Sequence, residues 1–365
     1  MEMKCVVLCG GGTGGHIYPN LALYDDLKPF RRVCYVGCSG GMEEELCGGL
    51  GIEFFGISAP KFRRSFTLKN LQLPFALSKS VKETKVLLQK LNPAVIFSKG
   101  GYVSLPVCLA GLSLGIPVLS HESDLSLGLA NKIAYKKGST LLTAFAPTMA
   151  GKKRVLHVGA PLRKGLFTDV KMINQSVKSN GDTLQKLLVI GGSQGAKAIN
   201  DAVIENLPEL CTQFEITHIT GRGKMPSHDD LARMFAHLRP IALATMLERY
   251  HPFEYASDMG KIYRSTDIAI SRGGANALFE LLQFEIPTLV IPLEKGSRGD
   301  QVENAEYFSR EKLCHTLGEN HTFALVESLN NLCENSHKIK QNISHRKIQE
   351  SFDGRANIVK LILSH

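Results

Sequence analysis

The residues that point most directly to chemistry are a glycine-rich turn near the start of the chain and the histidine that ends it. A short apolar run at 5–9 leads into Gly-Gly-Gly-Thr-Gly-Gly-His at 10–16. Glycines that follow a strand let backbone N–H groups and a helix N-terminus approach a phosphate, because no Cβ blocks the way. His16 adds a side chain that titrates near neutral pH. This pattern predicts a site for a phosphorylated ligand with a proton acceptor beside it.

The elements that position this turn follow an alternating pattern. Short Val/Ile/Leu-rich runs alternate with longer amphipathic stretches, which is typical of βαβ units and parallel sheets. Eight strands are predicted, at 5–9, 32–36, 94–97, 118–120, 187–190, 216–219, 268–270 and 288–291. The expected fold class is α/β.

Four of these strands lead into a glycine pair. The pairs are Gly10-Gly11, Gly100-Gly101, Gly191-Gly192 and Gly273-Gly274. Turns at the carboxyl ends of parallel strands lie on the ligand-binding edge of such a sheet. The matched spacing predicts two similar halves, with ligands in a cleft between them.

A chain of 365 residues exceeds what one hydrophobic core usually supports. We expect an N-terminal domain over 1–162 and a C-terminal domain over 163–345. A C-terminal helix is expected over 346–365, and the N-terminal domain is one candidate for its packing partner. The polar stretch 174–182 has the composition of a linker.

Composition narrows the class of protein. No apolar run reaches the ~20 residues that span a bilayer, and the start lacks a signal-sequence pattern, so a cytoplasmic location is expected. Nine scattered cysteines favour a reducing compartment over a disulfide framework. The net charge of +9 leaves nucleic acid, an anionic membrane or an anionic substrate as partners, and no nucleic-acid motif accompanies it.

A dinucleotide-binding enzyme is the first alternative, because Gly10, Gly12 and Gly15 satisfy G-x-G-x-x-G. That fingerprint requires an acidic residue at the end of the second strand to hold the ribose. Here the strand runs into Gly37-Cys38-Ser39. No Lys-Ser/Thr pair follows the glycines to make a P-loop either.

The later glycine turns suit a nucleotide sugar. The turn at 191–196 offers backbone N–H groups and a hydroxyl to a diphosphate, and Arg272 precedes a turn that opens another helix. On that helix, Glu280 is either a ribose-binding carboxylate or a solvated acid. Farther on, Gln301 and Asn304 share a helical face and suit sugar hydroxyls.

Eight motifs together carry a family resemblance. They lie at 11–19, 99–104, 121–124, 129–132, 161–163, 191–196, 271–276 and 297–301. In this order they resemble the peptidoglycan N-acetylglucosaminyltransferases, glycosyltransferase family 28 of the GT-B superfamily, over nearly the whole chain. The resemblance implies two Rossmann-like, doubly wound domains that face each other across a cleft.

The same resemblance implies an inverting hexosyltransferase. It would move N-acetylglucosamine from UDP-N-acetylglucosamine to the C4 hydroxyl of undecaprenyl-diphospho-muramoyl-peptide, converting lipid I to lipid II in peptidoglycan synthesis. No cofactor and no metal site is implied, although a magnesium ion loosely held on the diphosphate stays open. A diacylglycerol glucosyltransferase, a UDP-sugar epimerase and an inactive UDP-sugar-binding scaffold are the alternatives.

The resemblance also assigns residues. His16 is the leading candidate for the catalytic base, because it ends the glycine turn that faces the cleft, and the carboxylates of Glu122 and Asp124 are the alternatives. Capping the turn or binding the acceptor phosphate is the other interpretation of His16. The implied donor-binding residues are Thr13, Gly14, Arg163, Ser193, Gln194, Tyr255, Gly274, Ala275, Asn276, Glu280, Asp300, Gln301 and Asn304. The implied acceptor-binding residues are Gly12, Gly15, Gly100, Gly101, Tyr102, Ser104, Asp124 and Asn131. The segment 253–256 corresponds to the stretch whose backbone reads uracil.

A lipid-linked acceptor requires contact with a membrane. Cations and apolar residues interleave at 61–66 and 69–77, a pattern that favours peripheral binding to the anionic cytoplasmic face of the plasma membrane. An ordinary loop followed by an amphipathic helix is the other interpretation. Other cell-wall enzymes are possible partners, and nucleic acid is not expected to be one.

Overall fold

The structure is a computed structural model that describes residues 4–60, 73–167, 184–192, 194–295 and 298–365. The chain forms two compact units. Unit 1 comprises Met1–Arg163 and Asp353–His365, and unit 2 comprises Lys164–Phe352. The chain therefore leaves unit 1, builds unit 2 and returns. Residues 346–352, which the sequence places in the C-terminal helix, belong to unit 2.

Unit 1 is a parallel sheet with helices. Its described strands are β1 (Cys5–Cys9), β2 (Arg32–Cys38), β3 (Glu53–Ile57), β4 (Pro93–Ser98), β5 (Val118–Glu122), β6 (Thr140–Thr143) and β7 (Val155–His157). Its described helices are α1 (Gly14–Leu27), α2 (Met42–Gly49), α3 (Leu73–Leu91), α4 (Ser104–Ser113), α5 (Leu129–Lys137) and the last helix of the chain, α14 (Arg355–Leu363). The strand order is β3-β2-β1-β4-β5-β6-β7.

Unit 2 repeats this architecture. Its described strands are β8 (Gln185–Ile190), β9 (Phe214–Ile219), β10 (Tyr250–Phe253), β11 (Ile268–Ser271), β12 (Thr288–Val290) and β13 (His315–Thr316). Its described helices are α6 (Lys197–Glu205), α7 (Leu207–Gln213), α8 (His228–Met234), α9 (Pro240–Arg249), α10 (Met259–Arg264), α11 (Ala275–Gln283), α12 (Asp300–Arg310) and α13 (Leu325–Gln349). Short 3₁₀ turns lie at Lys164–Leu166 and Glu319–Ala324. The strand order is β10-β9-β8-β11-β12-β13, again parallel.

Burial on both faces explains why the central strands read as continuous apolar runs. Val6 and Leu8 of β1 join one hydrophobic cluster, whereas Cys5, Val7 and Cys9 join another on the opposite face. Parallel strands covered by helices on both sides show this pattern. All eight predicted strands are confirmed, to within a few residues at their ends.

The strand orders define where ligands bind. In unit 1, β1 lies between β2 and β4, and in unit 2, β8 lies between β9 and β11. At each of these points the direction of winding reverses, and a crevice opens at the carboxyl ends of the two central strands. The turns after β1, β4, β8 and β11 are the four glycine turns predicted from the sequence.

The last helix completes unit 1. Ile358 and Ile362 of α14 are fully buried in the cluster that contains Val6 and Leu8. An isolated parallel bridge joins Ala160 to Asp353 where the chain returns. No helix among the described residues combines the length and the apolar character needed to cross a membrane.

Candidate functional site

The two glycine turns of unit 1 touch. The backbone N–H of Lys99 donates to the Cys9 carbonyl at 2.9 Å, which brings the ends of β4 and β1 together. A Cβ placed on Gly101 would lie 2.8 Å from the Gly11 carbonyl oxygen and 3.2 Å from His16 Nδ1. Only glycine permits this approach. The sequence prediction that both turns lie at one edge is therefore met in the geometry of unit 1.

His16 lies in the first turn of α1, which begins at Gly14. Its Nδ1 is 2.9 Å from the hydroxyl oxygen of Thr13, the residue that precedes the helix. When Nδ1–H donates to this hydroxyl, Nε2 is the basic nitrogen of the ring. Thr13 thus orients the imidazole, a second role beside the donor contact that the sequence predicts for it.

Other predicted acceptor residues shape the turns. The ring of Tyr102 covers Gly12, because a Cβ on that glycine would lie 2.6 Å from Tyr102 Cε1. The buried hydroxyl of Ser104 donates to the Gly100 carbonyl at 2.7 Å. For Ser104 the structure favours a role in holding the turn over direct contact with a ligand. Gly15 is the second residue of α1, at its N-terminal end.

Glu122 is a buried carboxylate whose two oxygens both accept hydrogen bonds. Oε1 accepts from the backbone N–H groups of Ser123 and Asp124, at 3.1 and 3.3 Å. Oε2 accepts from the Gly128 N–H at 2.8 Å and from Asn131 Nδ2 at 3.0 Å. These four bonds make Glu122 an anchor for the loop after β5. Its catalytic role stays a prediction.

The side chain of Asn131 also bonds within the protein. Its side chain is buried, and Nδ2 donates both to Glu122 and to the His121 carbonyl at 3.0 Å. The Asn131 amide lies against Gly100, where a Cβ would be 3.1 Å from Nδ2. The Asn131 amide thus supports the second glycine turn, and its contact with the acceptor stays a prediction.

A buried cation lies beside these carboxylates. Lys99 is 2 % exposed, and its ammonium donates to the Ser123 hydroxyl at 2.5 Å. Burial lowers the pKa of Lys99 to about 8, although the charges of Glu122 and Asp124 oppose that shift. Burial and the nearby Lys99 charge hold the pKa of His121 well below its usual range. The sequence offers no signal that singles out Lys99 and Ser123, since their pairing depends on β4 lying beside β5.

Unit 2 carries a pocket of about 510 Å³ at its own switch point. Gly191, Gly195 and Ala196 line it from the turn after β8, and Lys197 lines it from the first residue of α6. The opposite wall includes Arg272, Gln301 and Glu319. Helix N-termini and backbone N–H groups favour anions. The volume and the lining fit a phosphorylated ligand.

Arg272 is neutralised within this wall. Its guanidinium donates to Glu319 at 2.6 Å and to the Ile291 carbonyl at 3.2 Å, and the side chain is 9 % exposed. Arg272 precedes the glycine turn that opens α11, where an unpaired guanidinium would offset the charge of a leaving diphosphate. In the structure this charge is already paired with Glu319. Glu319 follows β13, far along the chain, and no sequence signal predicted it.

Of the predicted donor residues, Glu280 and Asn304 are buried in unit 2. The Tyr263 hydroxyl donates to Glu280 Oε2 at 2.9 Å, a partner that fixes the carboxylate in place. Asn304 Nδ2 donates to the Gly273 carbonyl at 3.1 Å. Asn304 thus holds the glycine turn, and its contact with the sugar stays a prediction.

Gln301 supports the pocket wall from the N-terminal turn of α12. Its Oε1 accepts from the Leu293 N–H at 3.0 Å. Asp300 pairs with Arg298 through two nitrogens, at 2.9 and 3.0 Å. The residues Gly274, Ala275 and Asn276 form the N-terminus of α11.

Tyr255 and Gln194 of unit 2 are not among the residues that line this pocket. Tyr255 is 65 % exposed, just after β10. The Gln194 carbonyl accepts from Lys224 at 2.7 Å, and Arg163 is the last residue of the first part of unit 1. Ser193 and the basic stretch 61–72 lie outside the described residues, as does the predicted linker 174–182. Within the described part of the chain, no cluster of three His, Cys, Asp or Glu side chains could hold a metal ion.

Two parallel-sheet units, each with a ligand-binding edge at its switch point, define a protein of the GT-B glycosyltransferase fold. The N-terminal domain of glycosyltransferase family 28 matches residues 6–142, and the C-terminal domain of that family matches residues 186–358. The chain belongs to glycosyltransferase family 28.

Named relatives and solved structures agree with this assignment. The UDP-N-acetylglucosamine–N-acetylmuramyl-(pentapeptide) pyrophosphoryl-undecaprenol N-acetylglucosamine transferase of Lachnospira eligens is 38 % identical, covering 98 % of this chain and 99 % of its own. The enzyme of the same name from Clostridium botulinum is 36 % identical, covering 99 % of both chains. The crystal structure of Acinetobacter baumannii MurG superposes with a TM-score of 0.77 at 22 % identity, covering 99 % of this chain and 100 % of that one. The calicheamicin glycosyltransferase CalG4 shares the fold, with a TM-score of 0.65 at 12 % identity and coverage of 100 % and 98 %.

Proposed function

We propose that this protein is an inverting hexosyltransferase that moves N-acetylglucosamine from UDP-N-acetylglucosamine to the C4 hydroxyl of a polyprenyl-diphosphate-linked muramyl-peptide. The observation that carries the proposal is the match over 98 % of the chain to a relative named for this reaction. Two phosphate-binding edges, one in each unit, supply what a reaction between two diphosphate substrates needs. No cofactor takes part in the proposed reaction.

The proposed reaction needs a base for the acceptor hydroxyl. His16 fits this role, because the Thr13 hydroxyl 2.9 Å from Nδ1 orients the ring, and Nε2 accepts a proton in the tautomer whose Nδ1–H donates to that hydroxyl. Positioned general bases contribute on the order of 10²–10⁴ in rate. Glu122 and Asp124, which lie in and beside the loop after β5, are the carboxylate alternatives.

Departure of UDP needs stabilisation of negative charge. The N-terminus of α6 borders the pocket in unit 2, and α11 begins at the neighbouring glycine turn. Helix dipoles and backbone N–H groups would offset the charge that develops on the leaving diphosphate. Glu280, held by Tyr263, would bind the ribose hydroxyls. The side chain of Gln301 would contribute to sugar recognition from the wall of the pocket.

The lipid tail of the acceptor calls for peripheral contact with an anionic membrane at the cytoplasmic face. One face of α3 supports this part of the proposal. Phe75 is 80 % exposed and Val86 is also exposed, and Lys79 and Lys82 lie on the same side of the helix between them. Cations near anionic headgroups contribute about 1 kcal/mol each, and the apolar side chains insert at shallow depth.

The direct test is to incubate the full chain with UDP-N-acetylglucosamine and a short-chain lipid-linked muramyl-peptide. Formation of the lipid-linked disaccharide supports the proposal, and donor hydrolysis alone does not. Diacylglycerol as acceptor and UDP-N-acetylglucosamine alone are the parallel incubations. Glucosyl transfer to diacylglycerol, or epimerised donor, would replace the proposal with one of the related activities. Binding of donor without any product would indicate an inactive scaffold.

A further inference from the structure

A chain of buried polar groups links β10 to α6 inside unit 2. The Tyr250 hydroxyl is 2.9 Å from His218 Nδ1, and His218 Nε2 is 3.1 Å from Asn200 Oδ1. Asn200 Nδ2 in turn donates to the Thr220 carbonyl at 2.9 Å. All four residues are buried.

The proton positions in this chain follow from the chemistry of its ends. The Thr220 carbonyl only accepts, so the amide of Asn200 must present Nδ2 to it and Oδ1 to the imidazole. His218 Nε2–H therefore donates to Asn200, and Nδ1 accepts from the Tyr250 hydroxyl. Burial lowers the pKa of His218 to about 4, which keeps the ring neutral and preserves this single arrangement at neutral pH.

One end of the network reaches the pocket. Asn200 lies one turn into α6, whose first residue, Lys197, lines the pocket. Its two bonds fix the rotation of the helix about its axis and its height above β9. The backbone N–H groups at the N-terminus of α6 are therefore held in one position by groups that never contact a ligand.

The other end reaches the segment that the family resemblance assigns to uracil. The backbone N–H and the hydroxyl of Thr220 both donate to the Phe253 carbonyl, at 2.8 and 3.1 Å. Phe253 ends β10 and begins the segment 253–256. Thr220 thus ties this segment to the same asparagine that positions α6.

Close backbone packing makes the link through Thr220 rigid. A Cβ on Gly195 would lie 1.9 Å from the Thr220 carbonyl oxygen, and a Cβ on Gly221 would lie 2.6 Å from Gly195 N. The glycine turn after β8 and the turn after β9 therefore meet backbone to backbone. Movement of Thr220 would move both the phosphate-binding turn and the base-binding segment.

We propose that His218 is a positioning residue for nucleotide binding: through Asn200 and Thr220 it holds the phosphate-binding N-terminus of α6 in register with the base-binding segment 253–256. The inference rests on the proposed donor site in unit 2. It predicts that the network affects affinity for the nucleotide without affecting affinity for the lipid acceptor.

The test compares three variants of the full chain by calorimetry with UDP. Tyr250→Phe removes one hydroxyl and keeps the ring that packs against His218. Asn200→Ala removes both side-chain bonds that tie α6 to His218 and Thr220. Asn206→Ala is the matched control, because Asn206 follows the same helix and its side-chain amide donates to the Ala202 carbonyl of that helix at 2.8 Å. The tautomer of His218 is read in parallel from the ¹⁵N chemical shifts of its ring.

We expect Asn200→Ala to weaken UDP binding about tenfold or more and Tyr250→Phe to weaken it about threefold, as the loss of buried hydrogen bonds implies. Asn206→Ala should bind UDP like the parent chain, even if it lowers the unfolding temperature as much as Asn200→Ala does. Equal affinities for all variants, or an Nδ1–H tautomer, would overturn the inference. If Asn200→Ala does not fold, the UDP affinity of Tyr250→Phe and the ¹⁵N chemical shifts of the His218 ring test the inference. Failure of the parent chain to bind UDP would instead overturn the proposed donor site.

Discussion

The ammonium group of Lys99 donates a hydrogen bond of 2.5 Å to the hydroxyl of Ser123 in the interior of unit 1. Ser123 follows Glu122, whose carboxylate collects the N–H groups of the loop after β5. A buried cation and a buried anion are thus joined through one short loop, next to the glycine turns. Burial opposes the positive charge of Lys99, and the resulting loss in the free energy of unfolding is measurable.

Replacing this cation should change how stability depends on pH. Because the pKa of Lys99 is about 8 in the folded chain and ordinarily 10.5, the unfolded chain binds one more proton between these values. Stability in the parent should therefore rise with pH across that window by about 3 kcal/mol from this group. Lys99→Met should lack that rise. Urea unfolding at pH 7 and pH 10 checks this, since other titrating groups cancel in the difference. A difference that stays constant with pH would contradict it.

His16→Ala should reduce turnover by about 10²-fold or more and leave UDP affinity unchanged, because the base acts on the acceptor hydroxyl. Thr13→Val removes the hydroxyl that orients the ring, so it should lower kcat by a smaller factor. Rates with saturating donor and lipid acceptor, together with calorimetry for UDP, separate these effects. Full activity of His16→Ala would remove it as the base and direct attention to Glu122 and Asp124.

Glu280→Ala should abolish measurable UDP binding, since the carboxylate would no longer meet the ribose hydroxyls. Tyr263→Phe is the milder companion, because it removes only the bond of 2.9 Å that steadies Glu280, and about a threefold loss is expected. Calorimetry with UDP is the measurement. Unchanged affinity in Glu280→Ala would show that the donor nucleotide binds elsewhere.

Gly192 and Gly195 allow the effect of backbone strain to be separated from the effect of steric overlap by an added Cβ. Both have a positive φ, +84° and +69°, but a Cβ on Gly192 meets no atom within 4 Å among the described residues other than its chain neighbours. We expect Gly192→Ala to cost about 1 kcal/mol of stability from backbone strain alone. Gly195→Ala drives a methyl group into the Thr220 carbonyl and should cost at least about 3 kcal/mol and displace the turn. Chemical unfolding of both variants measures the difference, and equal losses would contradict this packing.

Acid should destabilise unit 2 through His218. Its pKa is about 4 in the folded chain and ordinarily 6.5, so stability contributed by the neutral ring is present above pH 6.5 and lost as pH falls toward 4. The loss from this group should reach about 3 kcal/mol. His218→Gln should start less stable at pH 7 and show a shallower decline. Unfolding curves at pH 7, 5.5 and 4.5 measure both slopes, and identical slopes would argue against the assignment.

Much of the fold follows from local signals in the sequence. The apolar runs at β1, β4, β8 and β11 and the glycines after them are readable because each depends on adjacent residues. The five strands that were not predicted lie toward the edges of the two sheets. β13, for example, spans only His315–Thr316, which is too short for a period to show.

It was harder to predict which polar side chains would make hydrogen bonds within the protein. Asn131, Asn304 and Glu122 carry the right groups for substrate contacts, and in the structure these groups make hydrogen bonds within the protein. The sequence does not reveal this, because burial of a side chain depends on packing between distant segments. The pairing of Arg272 with Glu319 has the same origin.

The return of the chain to unit 1 sets an order of events during synthesis. Ile358 and Ile362 fill the unit 1 core, yet the ribosome makes them only after all of unit 2. While unit 2 is synthesised, unit 1 lacks this helix and exposes the apolar surface that the helix will cover. The nascent protein therefore passes through a stage in which an incomplete unit 1 is open to chaperones and proteases.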